Sequence, residues 1–305
     1  MTEHSRLQRY NGTTASCSMR ILSGFLLVAI ATAASTELPS QDLLRRATAL
    51  YERTQYQDSL RLLAEDSAPD AAALLLDGKN YLMLGDYKRA IEFFQKAVAL
   101  SPNNSDYQLW LGRAWGRRAE ASGWMMAGMY APKARQCFEK AVALNPHNSE
   151  ASNDLFAFYL AAPAFLGGGL DKAETIARII SNERPPQSES ELGQIADRRK
   201  DYAAAEAHLR RAMELAPSQP GRIVDLARYL AKRGRVAESD ALFDQARKIA
   251  PDLPRIAFAE ARVDIENRRN LERARALLEQ YLHASLTPED PPRQEAEKLL
   301  RRAGE

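Results

Sequence analysis

Along most of the chain, apolar and small residues return at helical spacing, and the pattern itself returns after 34 residues. Residues 71–104 carry Leu74, Gly78, Tyr81, Gly85, Tyr87, Ala90, Phe94, Ala97 and Pro102. The set recurs at Gly193, Tyr202, Ala205, Leu209, Ala212 and Pro217, and again at Leu226, Ala227, Leu230, Gly234, Phe243, Ala246 and Pro251. Gly193 and Ala227, like Pro217 and Pro251, lie one period apart, so the register survives from copy to copy. Each period predicts two helices joined by a short turn. Gly78 and Ala90 are small where those helices cross, Leu74, Tyr81 and Phe94 fill the seam, and Pro102 ends the second helix. Nothing in the chain reads as a sheet, so the fold class is all-α.

Further copies extend the pattern. One carries Gly112, Trp115, Ala134, Phe138, Ala141 and Pro146, and weaker ones carry Ala47, Tyr56 and Leu63, then Phe156, Tyr159 and Ala173, then Ala261, Ala274 and Leu278. Together they predict about seven helical hairpins, at roughly 40–70, 71–104, 105–148, 149–185, 186–219, 220–253 and 254–288. Residues 289–305 read as a closing helix whose charged face, with Arg293, Glu297, Lys298 and Arg301, meets solvent as a terminal cap should. Two hairpins depart from the regular spacing. The small residues that mark the crossing lie twelve apart in Gly78/Ala90 and Gly193/Ala205, but are stretched to Gly112/Ala134 in the third hairpin. The expectation is an inserted turn at 119–132 with Trp124, Met125, Met126 and Met129, beside a second long turn with Phe165 and Gly167–Gly168–Gly169. Turns of this kind lie along one edge of a solenoid. Either the two pack on each other, Trp124 against Phe165, or they form an apolar, Met-rich knob for a partner, or for self-association.

The spacing of these copies resembles the tetratricopeptide repeat (TPR) family over nearly all of the chain after the leader. The resemblance implies a right-handed superhelix, an α-solenoid, in which the first helices of the hairpins form a concave wall that binds another protein or peptide segment. Mapped onto this sequence, the wall positions include Lys79, Arg113, Arg117, Asn153, Gln194, Arg198, Arg228, Lys232 and Arg262. Basic and amide groups dominate, with acids at Asp106, Glu150, Asp197 and Glu266. The Lys-and-Asn clamp by which some family members hold a terminal carboxylate is not reproduced, since Leu75 and Lys79 stand in its place in residues 71–104. Residues 123–173 also look like a subset of exported bacterial TPR proteins, which implies an envelope setting and leaves the molecular role open.

The N-terminal segment points to export, and composition argues against several activities. An apolar run at 21–30 follows Arg20 and closes on Ala31-Thr32-Ala33, a small-x-small cleavage pattern, so residues 1–33 read as a signal peptide, with Met19 a second candidate start. The run is too short to span a bilayer comfortably, so no membrane insertion is expected after cleavage; an uncleaved leader would make the chain anchored or cytosolic. The 305 residues hold 42 Lys and Arg against 40 Asp and Glu. Removing Arg6, Arg9, Arg20 and Glu3 with the leader leaves 39 against 39, no footprint for nucleic acid. Of the two cysteines, Cys17 falls in the leader and Cys137 stands alone, so no internal disulfide or Cys-based metal site is expected. His147, His208 and His283 sit singly in different repeats, and the glycine run lacks phosphate-loop spacing. The neighbouring acids Glu260 and Asp264, or Glu189 and Glu191, read as solvated helix faces. No catalytic residue and no cofactor is therefore expected. The reading is a periplasmic protein-interaction scaffold or adaptor, with an accessory subunit of an envelope biosynthesis or secretion machine (polysaccharide, pilus) as the alternative.

Overall fold

The structure, a computed structural model, describes residues 39–304. The expected leader lies outside the described residues. Fifteen α-helices and one 3-10 turn are present among the described residues, with no strand. They pair as α1 (Pro39–Glu52) with α2 (Tyr56–Leu63), α3 (Ala71–Met83) with α4 (Tyr87–Leu100), and α5 (Ser105–Glu120) with α6 (Trp124–Leu144). The series continues with α7 (Ser149–Ala161) and α8 (Leu170–Ile179), α9 (Pro185–Arg198) and α10 (Tyr202–Leu215), and α11 (Pro220–Lys232) and α12 (Val236–Ile249). The last pair is α13 (Pro254–Glu266) with α14 (Leu271–His283), and α15 (Arg293–Gly304) closes the stack.

Local chemistry sets the helix starts. Asp70, Asp86, Asn104, Asn148 and Asp201 each accept a hydrogen bond from a first-turn backbone N–H of the helix that follows. Pro185, Pro220 and Pro254 open α9, α11 and α13, where a missing N–H costs nothing. Within a hairpin, close crossing requires a missing side chain. A Cβ on Gly112 would stand 2.6 Å from the Phe138 ring, and one on Gly78 would stand 2.5 Å from Phe94. Phe94, Phe243 and Tyr281 are fully buried, and the apolar clusters follow one another from α1 to α15 instead of meeting in a single centre. That is the core of a solenoid, in which each hairpin buries its face on its neighbours. First helices also touch first helices, α1 with α3, α3 with α5, α5 with α7, α9 with α11 and α11 with α13, which builds the inner wall.

Three sequence expectations need correction. The extra residues of the third hairpin do not form a long turn: they lengthen both helices, so that α5 has 16 residues and α6 has 21, with Pro132 inside α6. Three of the four acids read as solvated are not: Glu191, Glu260 and Asp264 are fully buried, and only Glu189 keeps part of its surface. Glu260 pairs with Arg247 and Arg273, and Asp264 with Arg269 and Arg273, so charges from α12 and α14 meet those of α13 between hairpins. Arg293 of the closing helix does not face solvent either; it donates to the carbonyls of Leu282 and Ala284 at the end of α14. That places a cation on a helix C-terminus, where the unsatisfied carbonyls favour it.

Candidate partner-binding groove

The first helices bring the wall residues predicted from the sequence into two concavities. Lys79, Arg113, Arg117 and Asn153, from α3, α5 and α7, line a space of about 1420 Å³ together with Tyr51 and Trp110. Gln194, Arg228 and Lys232, from α9 and α11, line a second of about 530 Å³ with Asp197, Asp225 and Glu266. Arg198 and Arg262 line neither space, although Arg262 of α13 pairs with Glu295, which lines the first.

Trp110 organises the first concavity. The Lys79 ammonium lies 4.5 Å and the Arg113 guanidinium 4.6 Å from the centre of its ring, cation–π contacts that hold both charges against an apolar surface. Arg113 is further fixed by Asp154, Nε to Oδ2 at 2.5 Å, and by Glu150, Nη2 to Oε2 at 2.9 Å. Burial, helped by the nearby Arg113 charge, lowers the Lys79 pKa from its ordinary value. Among the described residues Lys79 has no ion-pair partner, and neither has Arg228 in the second concavity. The remaining wall cations are engaged: Lys232 with Asp197 at 2.6 Å, Arg117 with Glu120 at 3.2 Å, and Arg198 with the Leu160 carbonyl at 2.6 Å. Asn153 accepts from Arg184 at 3.2 Å. Sequence reasoning missed Tyr51, Trp110, Arg255, Glu295 and Lys298, which also line the first space. Trp110 sits on the same helix as Arg113 and was within reach of helical spacing; the other four come from the two ends of the chain, which only the superhelical path brings together.

The apolar edge resolves in an unexpected way. Trp124 is 86% and Phe165 84% exposed, and Met125, Met126 and Met129 are exposed beside them, so Trp124 and Phe165 do not bury each other. The two segments do meet, through Leu166 packed on the small cluster of Ala119, Tyr130 and Ala131. The glycine run is a tight turn: a Cβ on Gly168 would collide with the Ala162 carbonyl, and Gly169 donates its N–H to the Tyr159 carbonyl at 2.9 Å. Cys137 is half-buried, and burial pushes its thiol up to about 11, the opposite of what a nucleophile needs. His147 and His208 each face a single glutamate, Glu183 and Glu189. No group of three potential metal ligands occurs among the described residues, nor is any helix there long and apolar enough to cross a membrane.

A stack of helical hairpins with a polar inner wall is the architecture of an α-solenoid. Family models described as tetratricopeptide repeat match residues 72–104 and 198–263, and the chain carries TPR repeats there. Two solved structures share the fold. A TPR protein from Parabacteroides merdae superposes with a TM-score of 0.58 at 14% identity, covering 87% of this chain and 99% of that one. A thermophilic TPR protein from Thermus thermophilus gives 0.51 at 23% identity, covering 63% and 98%. No curated protein matches. Proteins of this repeat class are in general non-catalytic scaffolds for protein–protein interaction, and the inner wall described above is the surface such a scaffold presents.

Proposed function

We infer that the protein is a non-catalytic adaptor of the bacterial cell envelope, exported by its leader, whose groove holds an extended or helical segment of another envelope protein. The observation that carries this reading is the Trp110 site, where Lys79 and Arg113 lie against one aromatic ring in an open concavity and Lys79 has no ion pair among the described residues. Aromatic residues and arginines that are held rigid before binding are the side chains that concentrate binding energy. The compartment rests on the apolar run at 21–30 and its small-x-small end.

The exposed edge of Trp124, Met126, Met129 and Phe165 favours a second reading, an accessory subunit of an envelope biosynthesis or secretion machine that uses two surfaces at once. One experiment tests both. The tagged protein is crosslinked in its own cells and purified from the envelope fraction, and its intact mass is measured alongside whatever it captures. The adaptor reading expects a mass that begins near Ala34 and a partner lost in R113E/R117E; the accessory reading expects the partner lost in W124A/F165A instead. An intact leader in a cytosolic protein would overturn the export claim.

A further inference from the structure

The closing helix α15 reaches back across the groove. Glu295 places Oε2 3.2 Å from Arg262 of α13 and Oε1 3.7 Å from Arg117 of α5. Arg262 lies in the neighbouring hairpin, but Arg117 belongs to the third, four hairpins away along the chain. The superhelix has therefore come round far enough for its last helix to face its early ones, and the concavity at Trp110 is lined by Glu289, Glu295 and Lys298 as well as by Tyr51 and Lys79. The cations of this space fall into two groups. Arg113 is held by Glu150 and Asp154 of the next first helix, and Arg255 by Glu289 and Asp290 of the segment before the cap. Lys79 and Lys298 have no ion pair among the described residues; Arg117, which also pairs with Glu120 on its own helix, and Arg262 share one carboxylate that comes from the cap.

We propose that the groove takes an acidic protein segment, and that Glu295 is its internal stand-in, a carboxylate that a ligand side chain displaces from Arg117 and Arg262. The proposal rests on the groove-binding reading above and names the chemistry of its partner. Charge complementarity supports it: Lys79, Arg117 and Lys298 line one space, Arg262 adjoins it through Glu295, and Trp110 offers an apolar floor. The latch is weak by construction. Both contacts are half-exposed ion pairs, and one is long, so releasing them costs a ligand little and resets the groove without disturbing the core.

Fluorescence anisotropy of a fluorescein-labelled octaglutamate peptide, titrated with the full-length protein at low salt, tests this, with octalysine and a single-stranded oligonucleotide of equal length as controls. E295Q removes the internal carboxylate and keeps its shape; it is expected to bind octaglutamate about three- to tenfold more tightly than the unaltered protein. K79E and R262E are expected to bind it at least tenfold more weakly, with octalysine unbound throughout. E295Q binding no more tightly than the unaltered protein would overturn the stand-in role, and an oligonucleotide bound as tightly as octaglutamate would overturn the protein-segment assignment. Melting curves establish that each variant is folded. If crosslinking in cells captures an Arg113/Arg117-dependent partner while octaglutamate fails to bind, the acidic chemistry falls and the adaptor reading stands; if neither binds, the groove itself is not the site.

Discussion

Glu191 is the least expected residue of the chain. It is fully buried on α9, accepts one hydrogen bond from Gln187 at 2.8 Å, and leaves its second carboxylate oxygen without a partner. Burial pushes its carboxyl up to about 7, outweighing the Gln187 bond and the Arg184 and Arg222 charges. The folded protein thus holds a proton that the unfolded chain releases near the ordinary glutamate value. The stability this contributes is complete below about pH 4.5 and is lost as pH rises through about 7, by about 1–3 kcal/mol. E191Q should flatten the dependence and be more stable than the unaltered protein at pH 8 by that amount; urea unfolding at pH 5, 6.5 and 8 measures it. Exposure gives the opposite prediction at the apolar edge. W124A should change stability by less than about 0.5 kcal/mol, because the side chain covers nothing, whereas F94A should cost about 3–5 kcal/mol from its fully buried place. Denaturant midpoints of the two variants check the contrast. The burial of Glu191 was not legible beforehand, because acids two apart in a polar stretch read as a solvated face, and the exposure of Trp124 was one of two alternatives that sequence left open; the actual packing depends on which helix face each occupies.

At the scale of the element, the sequence was most informative where sterics leave one solution. Gly78 and Gly112 are read as small residues at a helix crossing and Phe94 and Phe138 as recurring apolar positions of the same hairpins, and the structure places Gly78 against Phe94 and Gly112 against Phe138. Two glycines of α5 turn this into a test. G112A gains about 1 kcal/mol of helix propensity but sets a methyl 2.6 Å from the Phe138 ring, and overpacking of about 1–3 kcal/mol outweighs the gain. G116A meets only Ala134 Cβ at 4.0 Å, so it keeps the gain and should stabilise by about 0.5–1 kcal/mol. Opposite shifts in thermal midpoint are the expected outcome, and equal shifts would contradict the crossing geometry. The long third hairpin shows where reading ran out. Its glycines and Pro132 suggested an inserted turn, but residues 124–131 are apolar and helix-competent, and α6 simply begins earlier, with its proline tolerated inside. Pattern reports which residues are apolar; whether they fold back or extend depends on the neighbouring hairpin that supports them through Leu166.

For the whole molecule, Lys79, Arg113, Arg117 and Asn153 line one concavity and Gln194, Arg228 and Lys232 another, because the repeat carries these first helices to the same side, whereas Arg198 and Arg262 line neither. What no local pattern contains is closure. Tyr51 at one end and Glu295 at the other line one concavity, and the acids that satisfy Arg113 and Arg255 come from adjacent hairpins or from the segment before the cap. A groove so arranged has a fixed set of paired cations that stiffen it and a smaller set, Lys79 foremost, left for a ligand. Binding through those groups should weaken steeply with salt, since partly exposed charges are screened.

The central claim, that the concave wall is where a protein partner lies, is tested most directly by placing a photo-crosslinking amino acid at one position at a time in the living cell. Asn153 lines the first concavity and Gln194 the second, while Gln95 is exposed on α4, a second helix of its hairpin, away from both. The account predicts one protein crosslinked from 153 and 194, through a contiguous segment identified by mass spectrometry, and none from 95. Crosslinks from 95 with nothing from 153 or 194 would contradict it.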